Sequence, residues 1–394
     1  MEAGEEKILQ VESKDKKNRL WTANYILVCL ASLALFFAFN GLIPTLPIYM
    51  ERYGEITGAA GLPLAALTIG AVLTRPLTGW VLDVYGRKTI FWVGLLLFLL
   101  PTFVFIWMLP APILIVFRFI QGIGWGICNT AMNTVAADNI PDKRMGEGMG
   151  FFTLTMSFTQ AAAPAFGLWV MDKYSFPTLF LLLALITSIS LVIALIIKYP
   201  EFKKKVEKPK FIFMDKLLLR PAVVMLLFCL SLSSVLSFLA VYAVMQGVSA
   251  TGLFFTFFAL SSIIFRPVCG RILDKRREKG YDLVVILGVV AQIIAMLILS
   301  RTSSVEHLII GGAFFGLGFS SIQLAMLSLS LRLMPPEKRG VANATYWTAF
   351  DIGVAAGSIM WGIVAAAVGY YIMFNLNIVP IIAAMLVYFA KRLD

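Results

Sequence analysis

TRPLTGWVLD (74–83) and FRPVCGRILD (265–274) are two copies of one phrase, Arg-Pro-x-x-Gly-x-x-Leu-Asp, set 191 residues apart in a chain of 394. Each copy puts an arginine inside an apolar run and an aspartate at its end. The surroundings explain the run. Hydrophobic residues make up 60% of the chain and charged ones 14%, with a mean hydropathy of +0.87, well outside the range of a soluble domain. Twelve apolar stretches follow one another, at 22–48, 60–82, 89–109, 112–136, 147–171, 176–197, 218–245, 249–272, 283–300, 307–331, 341–365 and 368–390. Most approach or exceed the roughly 20 residues that cross about 30 Å of hydrocarbon as a helix. The expected fold is an all-α integral membrane protein.

The net charge of +11 invites a nucleic-acid reading, and its distribution argues against one. With the N-terminus placed in the cytoplasm, 27 of the 33 Lys and Arg fall in cytoplasmic segments, three outside (Arg52, Lys173, Arg301) and three within spans (Arg75, Arg118, Arg266). That asymmetry is the positive-inside pattern, so both termini are expected inside and no nucleic-acid partner is expected. The opening MEAGEEKILQVESKDKKNRL mixes acids and bases before any apolar run, unlike a signal peptide. Cys29, Cys128, Cys229 and Cys269 all lie in apolar spans without metal-like spacing, so packing is expected, with no disulfide, metal or cofactor. His307, the single histidine, starts a span beside Glu306 and reads as incidental.

A Lys-rich interruption at 198–217, split by Pro200 and Pro209, divides the chain. The expected organisation is a tail (1–21), a six-helix bundle (22–197), a basic linker (198–217), a second six-helix bundle (218–390) and a short C-terminus (391–394). Asp83 and Asp274 then close the second span of each bundle. GIGWG with NIPDKRMG (122–126, 139–146) echoes GLGFS with LMPPEKRG (316–320, 333–340) at the fourth span and the following loop. Two parallel repeats imply a two-fold axis along the membrane normal and a polar site between the bundles near mid-membrane.

Within each phrase, Pro76 and Pro267 free the carbonyls of Val72 and Ile263, a fault that polar neighbours must repair, and the adjacent arginine is placed to help. Gly79 and Gly270 admit a close helix. Asp83 and Asp274 can meet the positive N-terminus of a neighbouring helix.

These residues carry a resemblance. GWVLDVYGRK (79–88) resembles the loop signature between helices 2 and 3 of the major facilitator superfamily, Gly-x-x-x-Asp-x-x-Gly-Arg-Lys/Arg. RFIQGIG (118–124) is similar to the helix-4 motif of its proton-coupled drug-efflux branch, NGLIPTLP (40–47) to that branch's helix-1 double-proline segment, and AAPAFG (162–167) to a weakened helix-5 antiporter motif. The resemblance implies a twelve-helix secondary transporter exporting a drug-like molecule or metabolite by proton antiport, in the multidrug-resistance manner, through alternating access. It assigns Gly79, Asp83, Gly86, Arg87, Lys88, Gly270 and Asp274 to the inside gate. Arg118, Gln121, Gly122 and Gly124 fall in the helix-4 motif, with Arg118 in proton transfer, and Pro164 and Gly167 in the helix-5 motif. The sequence departs from the family pattern at Val84, where a basic residue often stands, at the second loop copy, which lacks the Gly-Arg-Lys/Arg ending, and at Ala163 and Leu168 in the helix-5 motif.

Charge inside hydrocarbon costs about 3 kcal/mol at a helix centre, so the few present are informative. Asp351 is the one deep acid, about 15 Å into its span by helical rise; it is a candidate proton carrier or a structural ion-pair partner. Arg118 pairs with Gln121 or a carbonyl, or serves coupling. Arg75 and Arg266 lie nearer the cytoplasm and are expected to be structural, with room to snorkel. Asn40, Asn133, Gln160, Tyr242, Gln246, Gln323, Tyr346 and Trp347 are candidates for lining a substrate cavity, and Trp347 shares the helix face of Asp351.

A membrane enzyme would need a cluster of catalytic or metal ligands, which one His and one deep acid do not supply. A receptor or scaffold would leave the duplication unexplained. Without a Gly-x-x-x-x-Gly-Lys-Ser/Thr sequence, direct ATP coupling within the chain is not expected. The expectation is a monomeric, proton-driven exporter in a bacterial inner membrane. Its substrate is open among cations, zwitterions, sugars and amphiphiles, with lipid or lysolipid export and facilitated uptake as the alternatives.

Overall fold

A computed structural model of the chain describes residues 19–53, 62–199, 215–248 and 251–390. Most of the expected tail, the linker core at 200–214 and the C-terminus at 391–394 lie outside the described residues. In a bilayer every backbone polar group must be satisfied within its own segment, and the apolar runs accordingly form helices: α1 (Ala23–Tyr53), α2 (Leu62–Tyr85), α3 (Arg87–Val104), α4 (Ala111–Asp138), α5 (Met145–Lys173), α6 (Phe176–Ile196), α7 (Leu219–Met245), α8 (Gly252–Ser300), α9 (Val305–Leu333), α10 (Arg339–Leu376) and α11 (Ile378–Ala390). Large apolar side chains such as Leu73, Ile359 and Ile363 stand exposed on the outside of the bundle, as lipid-facing positions require. Ten helical stretches among the described residues are long and apolar enough to cross a membrane.

The spans expected at 249–272 and 283–300 are two, but no loop separates them. α8 covers both spans and the intervening KRREKGYD, whose Lys, Arg and Glu favour helix. The chain nevertheless turns back. Along α8, Phe254 lies against Gly312 and Asp274 contacts Arg332, in step with α9; then Gln292 lies against Gly318 and Leu299 against Gly311, in the opposite sense. Gly280 makes this reversal feasible, since a Cβ there would stand 2.4 Å from the Ile272 carbonyl oxygen. The last two expected spans likewise follow without a loop and are separated by Gly369, whose φ of 79° breaks α10. Residues 370–376 and α11 together make the twelfth span.

The duplication is visible in the packing. A Cβ on Gly122 of α4 would come within 2.2 Å of the Leu67 carbonyl oxygen on α2, and one on Gly316 of α9 within 2.4 Å of the Phe258 carbonyl oxygen on α8. Gly94 of α3 meets Cys128, as Gly288 of α8 meets Ile322. Gly124 packs against Leu97 and Phe98, and Gly167 of α5 against the Gly41 carbonyl of α1. The helix-4 and helix-5 glycines are thus points where backbones touch. The basic ends of the spans, near Arg87, Lys143, Lys216, Lys275 and Lys338, gather at one face of the molecule, called the basic face below.

Candidate functional site

The two halves are joined at the basic face by two equivalent clamps. Asp83, ending α2, accepts hydrogen bonds from the backbone N–H groups of Gly340 (3.0 Å) and Val341 (2.9 Å) in the first turn of α10. Asp274, the matching residue of α8, accepts from Gly146 (2.9 Å) and Glu147 (2.7 Å) in the first turn of α5. A carboxylate at the positive end of a helix satisfies donors that have no partner inside it. Each clamp closes over a contact between glycines: a Cβ on Gly270 would lie 2.5 Å from the Gly146 carbonyl oxygen, and one on Gly340 2.5 Å from the Gly79 carbonyl oxygen.

Charged side chains tighten the seal. Arg87 reaches Asp138 (2.9 Å) and donates to the Pro336 carbonyl (2.8 Å) across the halves. Arg339 returns the contact, to Asp142 (2.6 Å), the Ala137 carbonyl (2.9 Å) and Asp138 (3.6 Å). Arg271 meets Glu147 at 3.4 Å, and Asp274 also pairs with Arg332. Lys88 takes no part and rests over the ring of Trp92. Gly86, with φ of 91°, supplies the turn between α2 and α3. The sequence reading missed Asp138, Arg339 and Glu147, although all three sit at or beside the NIPDKRMG and LMPPEKRG echoes.

Deeper by eight residues of α2, about 12 Å of helical rise, the halves meet again. Arg75 Nε stands 2.9 Å from Asp351 Oδ2 of α10, with the guanidinium over the Trp347 ring at 5.5 Å. The contact is one of charge and not an aligned hydrogen bond, since Arg75 Nε and Nη1 and Asp351 Oδ2 have no hydrogen-bonding partner among the described residues. The Asp351 side chain is 14% exposed. Arg266, the matching arginine of α8, stays within its own half, donating to Gln323 Oε1 of α9 at 2.5 Å. Neither arginine snorkels and, among the described residues, neither bonds to the carbonyls freed by Pro76 and Pro267, contrary to expectation. Both are buried, and a charged or amide oxygen within reach is a stronger partner than a strained carbonyl.

The remaining candidates separate. Arg118 is buried in the first half and bonded to Gln121, which donates in turn to Thr102 (2.7 Å); it is remote in contact from Asp351. Asn40 bonds to Phe36 and Thr159, Asn133 to Asn129, and Tyr242 to the Ser300 carbonyl. These bonds stay within one half, and Asn133 Oδ1 has no hydrogen-bonding partner among the described residues. Tyr346 donates to the Gln323 carbonyl (3.2 Å) and packs edge-on to Trp347, so Arg75, Trp347, Tyr346, Gln323 and Arg266 form one connected group between the halves. Gln160 and Gln246 are exposed; Gln246 lines a cavity of about 480 Å³ with Phe238, Tyr242 and Tyr370 at the far end of α7. Pro164 lies inside α5.

Comparison with known proteins gives the same architecture. The family model of the Major Facilitator Superfamily matches residues 28–281 and 250–393. The multi-drug resistance efflux pump PmrA of Streptococcus pneumoniae is 22% identical over 385 residues, covering 93% of each chain. Among solved structures, the human organic anion transporter MFSD10 superposes with a TM-score of 0.79 at 16% identity, over 92% of this chain and 98% of its own. The fucose:proton symporter FucP of E. coli does so with 0.72 at 17%, over 95% and 99%. These likenesses support the fold. Twelve spans in two matched bundles, clamped at one face and joined deeper by the Arg75–Asp351 ion pair, are those of a membrane transporter and not an enzyme, and the chain belongs to the Major Facilitator Superfamily.

Proposed function

We propose that this transporter exports a small molecule in exchange for protons, with Asp351 carrying the proton and Arg75 as its partner. The observation that carries the reading is the ion pair itself: it joins the halves, it is the deepest contact of opposite charge between them among the described residues, and one of its members can lose its charge. Protonating Asp351 removes the attraction to Arg75 and loosens the halves, while release of the proton restores it. Among the described residues, Cys229 of α7 is another titratable group close to Asp351. Export follows the name of the relative PmrA, an efflux pump. Arg118, held by Gln121 inside one half, is assigned a supporting role in the same proton step.

By the positive-inside pattern the basic face is cytoplasmic, with both termini inside and the membrane that of a bacterial cell. The clamps then seal the cytoplasmic side, and the conformation is outward-facing. The chain acts as a monomer, since each bundle already finds its mate within the same chain. Purified protein in liposomes carrying an imposed pH gradient tests the proposal through a substrate screen: a substrate that accumulates only against an opposing proton gradient supports exchange, and transport indifferent to that gradient overturns it. A reporter fused after Lys210 should be cytoplasmic and one inserted near Ser303 external; the reverse overturns the orientation.

A further inference from the structure

We infer that the transported molecule is a zwitterion whose opposite charges lie a few ångströms apart, received by Arg75 and Asp351 together. The inference rests on the proton-exchange reading above and deepens it to a substrate class. The pair offers unused capacity on both sides. Beyond their ion contact at 2.9 Å, Arg75 Nε and Nη1 and Asp351 Oδ2 are buried without hydrogen-bonding partners among the described residues, and so are Trp347 Nε1 and Thr348 Oγ1, four and three residues before Asp351 and hence on its face of α10. A site with both unmet donors and unmet acceptors suits a ligand presenting both. Beside them stand aromatic rings, Trp347 at 5.2 Å from Phe350 and Phe350 at 6.4 Å from Phe319 between centroids, able to take an apolar body.

Charge bookkeeping then selects among ligands. A cation that binds Asp351 displaces Arg75 and leaves a guanidinium uncompensated in a buried place, which is strongly unfavourable. An anion that binds Arg75 leaves Asp351 uncompensated; Asp351 then takes a proton, so that ligand and proton load together, the opposite of exchange. A neutral ligand leaves the pair closed and has no hold on the proton. A zwitterion replaces each partner of the pair by its own opposite charge: the acid group takes Arg75, the ammonium takes Asp351. Asp351 remains ionised while the ligand is bound, so proton and ligand exclude one another, as exchange requires. Among the described residues, the titratable or charged groups facing Asp351 are Arg75 from α2 and Cys229 from α7.

Three probes of one skeleton separate these cases: phenylalanine (both charges), 3-phenylpropanoate (acid only) and phenethylamine (ammonium only). Each is titrated against the purified full chain in detergent, with thermal stabilisation as the readout. Phenylalanine should bind at least about tenfold more tightly than either relative, and its affinity should fall about tenfold per pH unit once Asp351 becomes protonated. In Asp351→Asn the preference should move to 3-phenylpropanoate, and in Arg75→Gln to phenethylamine, while Arg75→Lys keeps the preference for phenylalanine. A purely structural pair would not reverse ligand preference by charge. Either neutralising variant decides alone if the other does not fold. Equal affinities for the three probes, no saturable response to phenylalanine, or an unchanged preference in a folded variant overturns the inference. The exchange reading fails by a different result: a pH gradient that still drives the Asp351→Asn protein.

Discussion

The clamps at the basic face and the arginines deeper in the bundle begin from the same repeated phrase and end differently. Asp83 and Asp274 do the same work, each gripping two N–H groups at the start of a helix in the other half. Arg75 and Arg266 do not: Arg75 crosses to Asp351, and Arg266 stays at home on Gln323. Position 157, which answers to Asp351 by the 194-residue offset relating Gly146 to Gly340, is a serine. The two-fold is therefore kept at the clamps and broken at the deeper arginines, as the proposed exchange requires of a site where one group carries the proton. Closure is a mechanical demand on both bundles; coupling needs only one titrating group.

The largest effects should come from the contacts that both halves share. Leucine at Gly79 or Gly270 would drive side-chain atoms into backbone of the opposite half, where Cβ alone already lies 2.8 Å and 2.5 Å from a carbonyl oxygen. Backbone cannot yield, so each variant should lose transport by about 100-fold or more by excluding the closed state. Asn343, fully buried behind the seal, gives a direct readout: an Asn343→Cys thiol should react with a membrane-impermeant maleimide from the basic face much faster in the leucine variants. Equal labelling would break the picture of the glycines as the closing surface.

Asp83→Asn and Asp274→Asn should be milder and matched. Each keeps an acceptor and loses the charge, weakening hydrogen bonds worth about 1.5–3 kcal/mol by part of that amount and slowing turnover about tenfold, with substrate affinity within several-fold. Unequal effects in otherwise folded proteins would show that the clamps are not equivalent. The smallest effect should fall on Arg266→Gln. Replacing a buried charge that has no opposite charge beside it removes as much desolvation cost as interaction, so transport should stay within about threefold and remain sensitive to a pH gradient. Arg75→Gln should lose that sensitivity. If the two arginine variants behave alike, the broken symmetry has no functional content.

Much of this was legible in the sequence because it depends on local chemistry. The span count follows from apolar runs, and the pairing of Asp83 with a helix start follows from an acid placed where a helix ends. The duplicated glycines and the phrase LMPPEKRG point to the opposing surface. What the sequence could not supply was the partner of each long side chain. Arg75 and Arg266 have nearly identical neighbours in sequence, yet their contacts are set by residues 276 and 57 positions away. The continuation of α8 through 275–282 was hidden for a related reason, since a charged stretch reads as loop by hydropathy while its Lys, Arg and Glu favour helix. The local partners of the cavity candidates were equally hidden, because a buried Asn or Tyr satisfies a nearby carbonyl that sequence does not identify, as Asn40 and Tyr242 do.

The central claim, that Asp351 carries the proton exchanged for substrate, is tested most directly by Asp351→Asn in proteoliposomes, with pH-driven uptake and gradient-independent counterflow of the same substrate measured on one preparation. Asparagine resembles the protonated acid in shape and cannot release a proton. The account predicts that pH-driven accumulation is abolished while counterflow persists, with no change in the assembly of the protein. Accumulation of substrate by the Asn protein under a pH difference alone would contradict the account and make the Arg75–Asp351 pair a structural contact.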